Sequence, residues 1–154
     1  MRGRIDETDI NIVNLLRRDG RISSTTIVRD LKISEKTVRN RITRMGNDGI
    51  LSIVAILDRA KLGYMAKAHV EVETEPLRVK DVAHLLAQMP EARWVSIVTG
   101  EYDILVSLCC KSNEGIFEFV TEKLAPIPGV RRTRTIMIVD ELKHVEDWMP
   151  ELEN

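Results

Sequence analysis

The sequence predicts an α+β chain in two parts: three short helices containing a helix-turn-helix, then a β-α-β-β-α-β domain. Three observations carry this. Charge is divided along the chain: residues 1–61 hold 13 Lys/Arg against 8 Asp/Glu, whereas the remainder holds 10 against 16 and contains every aromatic residue, from Tyr64 onward. The basic part shows three helix-spaced apolar patterns, each behind a capping residue. The acidic part repeats itself. Such asymmetry suits a module that meets a polyanion, joined to one that does not.

In the first part, Asp6 is a good N-cap, and Ile10, Val13 and Leu16 follow at helical spacing until Asp19-Gly20. Ser23 and Ser24 offer a cap for a second helix, Thr25–Leu31, and Ser34 caps a third from Glu35 to about Met45. A turn of about three residues between the last two is the helix-turn-helix arrangement. Arg2 and Arg4 read as a charged chain end rather than a DNA-reaching arm.

The third helix carries the chemistry. Val38, Ile42 and Met45 form a narrow apolar stripe. Opposite it stand Lys36, Asn40 and Thr43, flanked by Thr37, Arg39 and Arg44, and only Glu35 in the first turn is acidic. A solvated helix face ordinarily mixes Glu with its Lys. Arg and Lys can instead read guanine in the major groove, Asn can read adenine, and Thr can bond phosphate or touch a thymine methyl. Arg41 lies on the flank of the stripe, where a structural salt bridge and a phosphate contact are equally natural. Residues 50–57, Ile-Leu-Ser-Ile-Val-Ala-Ile-Leu, read as a buried strand, the companion of a winged helix-turn-helix and the start of a linker over 51–64.

In the second part, Leu86–Arg93 resembles Leu124–Arg131, offset by 38 residues. Each copy follows a helical pattern (Leu77–Gln88 and Asn113–Leu124) and precedes a strand (Trp94–Thr99 and Thr133–Val139). Strands Ala66–Thr74 and Ile104–Cys110 precede those helices, which completes a ferredoxin-like domain over 65–142, with an acidic tail over 143–154. Leu105 alternates with Ile104 and Val106, and Ile136 to Val139 is apolar throughout, so these strands are predicted to be greasy on both faces. Helices cover one face; a second copy of the sheet would cover the other, which predicts a dimer. The turn Thr99-Gly100-Glu101-Tyr102-Asp103 sets a phenol and carboxylates beside flexible amides, a composition suited to an amino-acid zwitterion as well as to a plain hairpin turn.

At this point the residues resemble the leucine-responsive and asparagine-responsive (Lrp/AsnC) transcription regulators over nearly the whole chain. The matching motifs are Ile5-Asp6-x-x-Asp9, Asp19-Gly20-Arg21, Leu31-x-Ile33-Ser34-x-x-Thr37-Val38-x-x-Arg41-Ile42-x-Arg44-Met45-x-x-x-Gly49-Ile50, Leu62-Gly63-Tyr64, Gly100-x-Tyr102-Asp103 and Ile127-Pro128-Gly129-Val130. The resemblance implies a sequence-specific regulator on double-stranded DNA. Lys36, Thr37, Arg39, Asn40, Arg41, Thr43 and Arg44 would face that DNA. An amino-acid effector would bind near Gly100, Glu101, Tyr102 and Asp103, and dimers would assemble toward octamers. The chain departs from the family pattern at Thr26-Ile27-Val28 in the second helix and at Met45-Gly46-Asn47-Asp48 after the third.

Other classes fit less well. His69, His84 and His144 are scattered, with no neighbouring nucleophile and no metal-ligand spacing, so neither an enzyme nor a resident cofactor is expected. Sirohaem decarboxylases resemble the same two-domain architecture, yet they have no need of the basic face of the third helix. A DNA-compacting protein is the remaining alternative. No apolar run approaches the roughly 20 residues that span a bilayer, the N-terminus lacks a signal-peptide stretch, and the adjacent Cys109 and Cys110 suit neither an ordinary disulfide nor a metal site. A reduced, cytoplasmic protein is expected.

Overall fold

Asp6 opens the first helix with a reciprocal capping box. Its carboxylate accepts from the Asp9 amide at 2.9 Å, and the Asp9 carboxylate accepts from the Asp6 amide at 3.2 Å. A computed structural model describes residues 5–143, so Arg2, Arg4, His144 and nearly all of the expected acidic tail lie outside the described residues. The described chain divides into two units, residues 5–56 and 57–143.

The first unit contains α1 (Glu7–Arg18), α2 (Ser24–Leu31) and α3 (Glu35–Asn47), with Ser23 and Ser34 capping the second and third through their hydroxyls. Ile12, Leu16, Ile27, Val38 and Met45 form the core, with Ile42 half-buried against it. In α1 the buried face is Asp9, Ile12 and Leu16, not the expected Ile10–Val13–Leu16 stripe. A polar residue sits on that face because α3 supplies arginines to meet it, which apolar periodicity cannot register.

The expected strand over 50–57 is absent. Residues 51–58 have no regular secondary structure, and Ile53, Val54 and Leu57 are 56%, 72% and 65% exposed. The composition is that of a strand, but a strand needs a partner's backbone groups, and the described residues provide none here. The helix-turn-helix of the single chain accordingly lacks its wing strand. Only Leu51 joins the helical core.

The second unit is a four-stranded antiparallel sheet of order β2-β3-β1-β4, built from β1 (Ala66–Thr74), β2 (Ala92–Ile97), β3 (Ile104–Cys110) and β4 (Val130–Met137). Between β1 and β2 runs α4 (Val79–Leu86). Between β3 and β4, α5 (Asn113–Glu118) continues as a π-helical turn through Phe119–Leu124. This is the ferredoxin-like order inferred from the duplication. The central strands are the most regular: Ala66, Ala68, Val70 and Val72 of β1 and Ile104, Val106 and Leu108 of β3 are buried beneath the helices, packed on Leu86, Phe119 and Leu124.

The opposite face is less greasy than expected. Register places Glu71 beside Arg134, Glu73 beside Arg132 and His69 beside Ile136, with Trp94 beside Ser107 and Ser96 beside Leu105. Glu71–Arg134 and Glu73–Arg132 are ion pairs at 3.3 and 3.1 Å. On this face Trp94, Leu105 and Ile136 stand on β2, β3 and β4, with His69 and Glu71 of β1 between Leu105 and Ile136.

Candidate nucleic-acid interface and effector groove

On α3 the residues divide by what holds them. Lys36, Asn40 and Thr43 are exposed and make no side-chain hydrogen bond or ion pair within the described residues. Arg39 is exposed and paired with Glu35 one turn earlier, at 2.6 Å. Thr37 is tied to the Ser34 hydroxyl at 2.7 Å as part of the N-cap.

Arg41 and Arg44 are placed differently from the other expected DNA contacts. Arg41 Nη1 donates to both carboxylate oxygens of Asp6 at 2.7 Å and to Asp9 Oδ1 at 2.9 Å. Arg44 Nη2 donates to Asp9 Oδ2. The alternatives at Arg41 are thus joined: it forms a salt bridge to α1 while its side chain keeps 27% exposure. Asp9 itself has no exposed surface. Burial pushes its carboxyl upward, but hydrogen bonds from Arg44, Arg41 and the Asp6 amide outweigh that and hold it below the ordinary carboxylate range. The Asp6 carboxyl is lowered chiefly by its hydrogen bonds from Arg41. Sequence reasoning missed Asp9. A signal was present, since Asp6/Asp9 and Arg41/Arg44 are both spaced by three and form complementary one-turn charge pairs.

The expected effector turn closes β2 onto β3. Gly100 has φ +148°, a conformation that side chains resist, and a Cβ there would meet nothing within 4 Å. Asp103 turns one carboxylate oxygen to the fold. Its Oδ2 accepts from the Thr74 amide at 2.7 Å and the Thr74 hydroxyl at 3.1 Å, while its backbone bonds Val72 and Val98. That carboxylate pins the end of β1 and does not line the adjacent groove. The groove, of about 200 Å³, is lined by Gly100, Glu101 and Tyr102 together with Glu71, Leu105 and Arg134. Arg132 lies over the Tyr102 ring at 5.2 Å and bridges Glu101 at 3.0 Å. Glu71 and Arg134 arrive from β1 and β4, so no local motif could have named them.

A three-helix unit with an unpartnered polar face on its third helix, followed by a ferredoxin-like domain with a small charged groove, defines a two-domain DNA-binding protein with a ligand-binding module. Comparison with known proteins agrees. The family model for the AsnC-type helix-turn-helix domain matches residues 5–45, and that for the Lrp/AsnC ligand binding domain matches 67–147. An uncharacterised HTH-type transcriptional regulator of Pyrococcus horikoshii, PH0140, is 36% identical over 90% of this chain and 89% of its own. The HTH-type transcriptional regulator FL11 of the same organism is 30% identical over 96% and 97%. Among solved structures, Escherichia coli AsnC superposes with a TM-score of 0.88 at 19% identity, covering 93% of this chain and 97% of that one. The transcriptional regulator NMB0573 of Neisseria meningitidis, solved as its L-Met complex, gives 0.87 at 22% identity, covering 95% and 97%. The chain belongs to the Lrp/AsnC family of DNA-binding transcriptional regulators. Among the described residues, no helix is long and apolar enough to cross a membrane.

Proposed function

We propose that the chain is a sequence-specific regulator whose DNA affinity answers to a small amino acid. The observation that carries the DNA half is the unpartnered face of α3. Lys36, Asn40 and Thr43 make no side-chain hydrogen bond within the described residues, so their donors and acceptors are available for base edges and phosphates. Arg39 joins them on exchanging Glu35 for phosphate, and Thr37 borders the face at its N-terminal end. The enzyme and cofactor readings find no support in relatives that are named as transcriptional regulators.

The effector half rests on the groove. At about 200 Å³ it is smaller than the roughly 300–1,000 Å³ of drug-sized sites, and so suits a single small metabolite. It offers carboxylates at Glu71 and Glu101 for an ammonium group, and a guanidinium at Arg134 for a carboxylate, with Leu105 and the Tyr102 ring for an apolar side chain. The neighbour solved with L-Met supports this chemistry by analogy. A second copy of the chain is proposed to cover Trp94, Leu105 and Ile136 of the open sheet face and the exposed linker side chains Ile53, Val54 and Leu57, with dimers assembling toward octamers.

The test has two arms. Affinity for a selected operator is compared with random duplex in a salt titration: a ratio above about 10³ supports specific regulation, while a ratio near one means a DNA-compacting protein. Calorimetry with the amino acids, on the parent and on Arg134→Ala, checks the groove. Equal binding by both proteins moves the effector elsewhere.

A further inference from the structure

Two acidic residues of α1 reach across to two arginines of α3, and the geometry of that contact is one-sided. All three hydrogen bonds of Arg41 to the carboxylates pass through Nη1, and the bond of Arg44 passes through Nη2. No other hydrogen bond is made by either guanidinium within the described residues. A guanidinium carries five N–H donors in a rigid plane. Arg41, fixed through Nη1, keeps its whole Nε/Nη2 edge, whereas Arg44, fixed through Nη2, keeps Nε and Nη1 as separate donors. The two lie beside Thr37 and Asn40 in an open hollow of about 380 Å³, whose remaining wall is Asp6.

The two carboxylates are unequal. Asp9 has no exposed surface and shares the buried face of α1 with Ile12 and Leu16. It accepts from both arginines and from the Asp6 amide, so its acceptors are occupied and its position is set by packing. Asp6 is 53% exposed and touches only Arg41 of the pair.

We propose that Asp9 is a positioning residue for DNA binding: its buried carboxylate fixes Arg41 and Arg44 by one nitrogen each, so that their free donors form a two-arginine clamp for a backbone phosphate beside the reading face of α3. The proposal rests on α3 being the DNA-contacting helix. Arg41 can meet phosphate bidentately through its Nε/Nη2 edge and Arg44 can add a single N–H, in both cases without first losing side-chain freedom. Lysine is a poorer substitute, because its ammonium has three donors around one atom on a flexible stem and lacks the planar fork that a hold on one nitrogen orients. Asp6 has the opposite influence, as an exposed anion at the rim of a site for another anion.

The sign of one substitution separates positioning from simple charge. Asp9→Asn makes the unit more positive, so charge alone predicts tighter binding to any DNA. Positioning predicts weaker binding. Fluorescence anisotropy of the full chain on a random-sequence duplex of about 30 bp, across about 50–400 mM KCl, reads both affinity and the number of phosphates engaged. Arg41→Ala and Arg44→Ala should each lower the log–log salt slope by about 0.9. Asp9→Asn should weaken binding at least about fivefold and lower the slope in the same direction, with no added effect in an Arg41→Ala/Arg44→Ala background. Asp6→Asn, which keeps the N-cap, should bind as tightly as the parent or more so.

A folded Asp9→Asn that binds as tightly as the parent with an unchanged slope overturns the proposal. Should Asp9→Asn fail to fold, the Arg41→Lys/Arg44→Lys variant decides, because it conserves charge while removing the planar fork. Several-fold weaker binding supports the clamp, and parental affinity overturns it. Lys36→Ala separates the two levels of the argument. If it weakens duplex binding while the Asp9 and arginine variants do not, only the positioning role falls; if none has an effect, α3 is not the contacting helix.

Discussion

Asp103→Ala distinguishes a carboxylate that holds the fold from one that holds the effector. Oδ2 is the acceptor for the Thr74 amide at 2.7 Å and its hydroxyl at 3.1 Å, and Thr74 is 3% exposed at the end of β1. Removing the carboxylate leaves a buried N–H with no acceptor, which costs about 1–3 kcal/mol, and forfeits a second bond to a charged acceptor worth about 1.5–3 kcal/mol. A total near 3 kcal/mol follows when these overlap as neighbours do. For a unit spanning residues 57–143, a shift of roughly 4–8 °C per kcal/mol puts the loss at about 10–25 °C in its melting transition. Asp103→Asn, which retains one carbonyl acceptor, should lose about half as much. Thermal unfolding by circular dichroism measures both, with calorimetry alongside at a temperature where each variant is folded. Below its melting transition, Asp103→Ala should still bind the effector within a few-fold of the parent. An Asp103→Ala protein with the parental melting temperature and no effector binding would refute the reasoning and return Asp103 to the ligand site.

Asn40→Ala should cost about 1–3 kcal/mol at the operator and relax preference at one base position, measured by competition among operator variants; unchanged preference would mean that Asn40 reads no base. Gly129→Ala should destabilise the second unit by about 1–3 kcal/mol in urea unfolding, since Gly129 has φ +101° and a Cβ would lie 2.7 Å from the Arg78 Cβ. Leu105→Glu should shift the full chain toward monomer in light scattering, because it replaces an apolar side chain of the open sheet face by a second carboxylate beside Glu71; an unchanged mass would mean that the face is not the interface. For pH, the Asp9 carboxyl is lowered in the folded chain, so the unfolded state binds the proton first as pH falls. Its contribution is complete above the ordinary carboxylate range near 4 and is lost as pH drops through the folded value. The parent should therefore lose helical-unit stability more steeply below about pH 4 than Asp9→Asn does, and parallel curves would contradict that.

The elements that local rules govern were legible in the sequence. Asp6, Ser23 and Ser34 cap the helices they were expected to cap, because an N-cap needs only its own next three residues. Strands β1 and β3 fall on their expected bounds, being central strands whose apolar residues alternate under one layer of helices. β2 and β4 begin two and three residues earlier than expected, at Ala92 and Val130, since pairing with β3 and β1 extends them past the apolar run that marked them. Residues 50–57 were misread for the complementary reason: their composition favours a strand, but strand formation depends on a partner that composition does not contain.

The candidate sites show the same division at the level of side chains. The outward face of α3 follows from the 100° step of a helix and could be listed from sequence alone. What could not be listed is which of those residues the protein already uses. Arg41 and Arg44 share a face with DNA-facing residues, yet 32 to 35 positions separate them from the carboxylates that hold them. The same holds at the effector turn. Asp103 adjoins the tyrosine in sequence, as Glu101 does, but the fold gives one of its oxygens to Thr74, and the antiparallel sheet brings Glu71 and Arg134 to the groove from two other strands. Acid–base pairing across elements is set by packing, so a motif can identify a charged residue as special without saying whether its charge is spent on the fold or kept for a ligand. In this chain Asp103 gives Oδ2 to the fold, whereas Arg41 and Arg44 each give one nitrogen to it and keep the others.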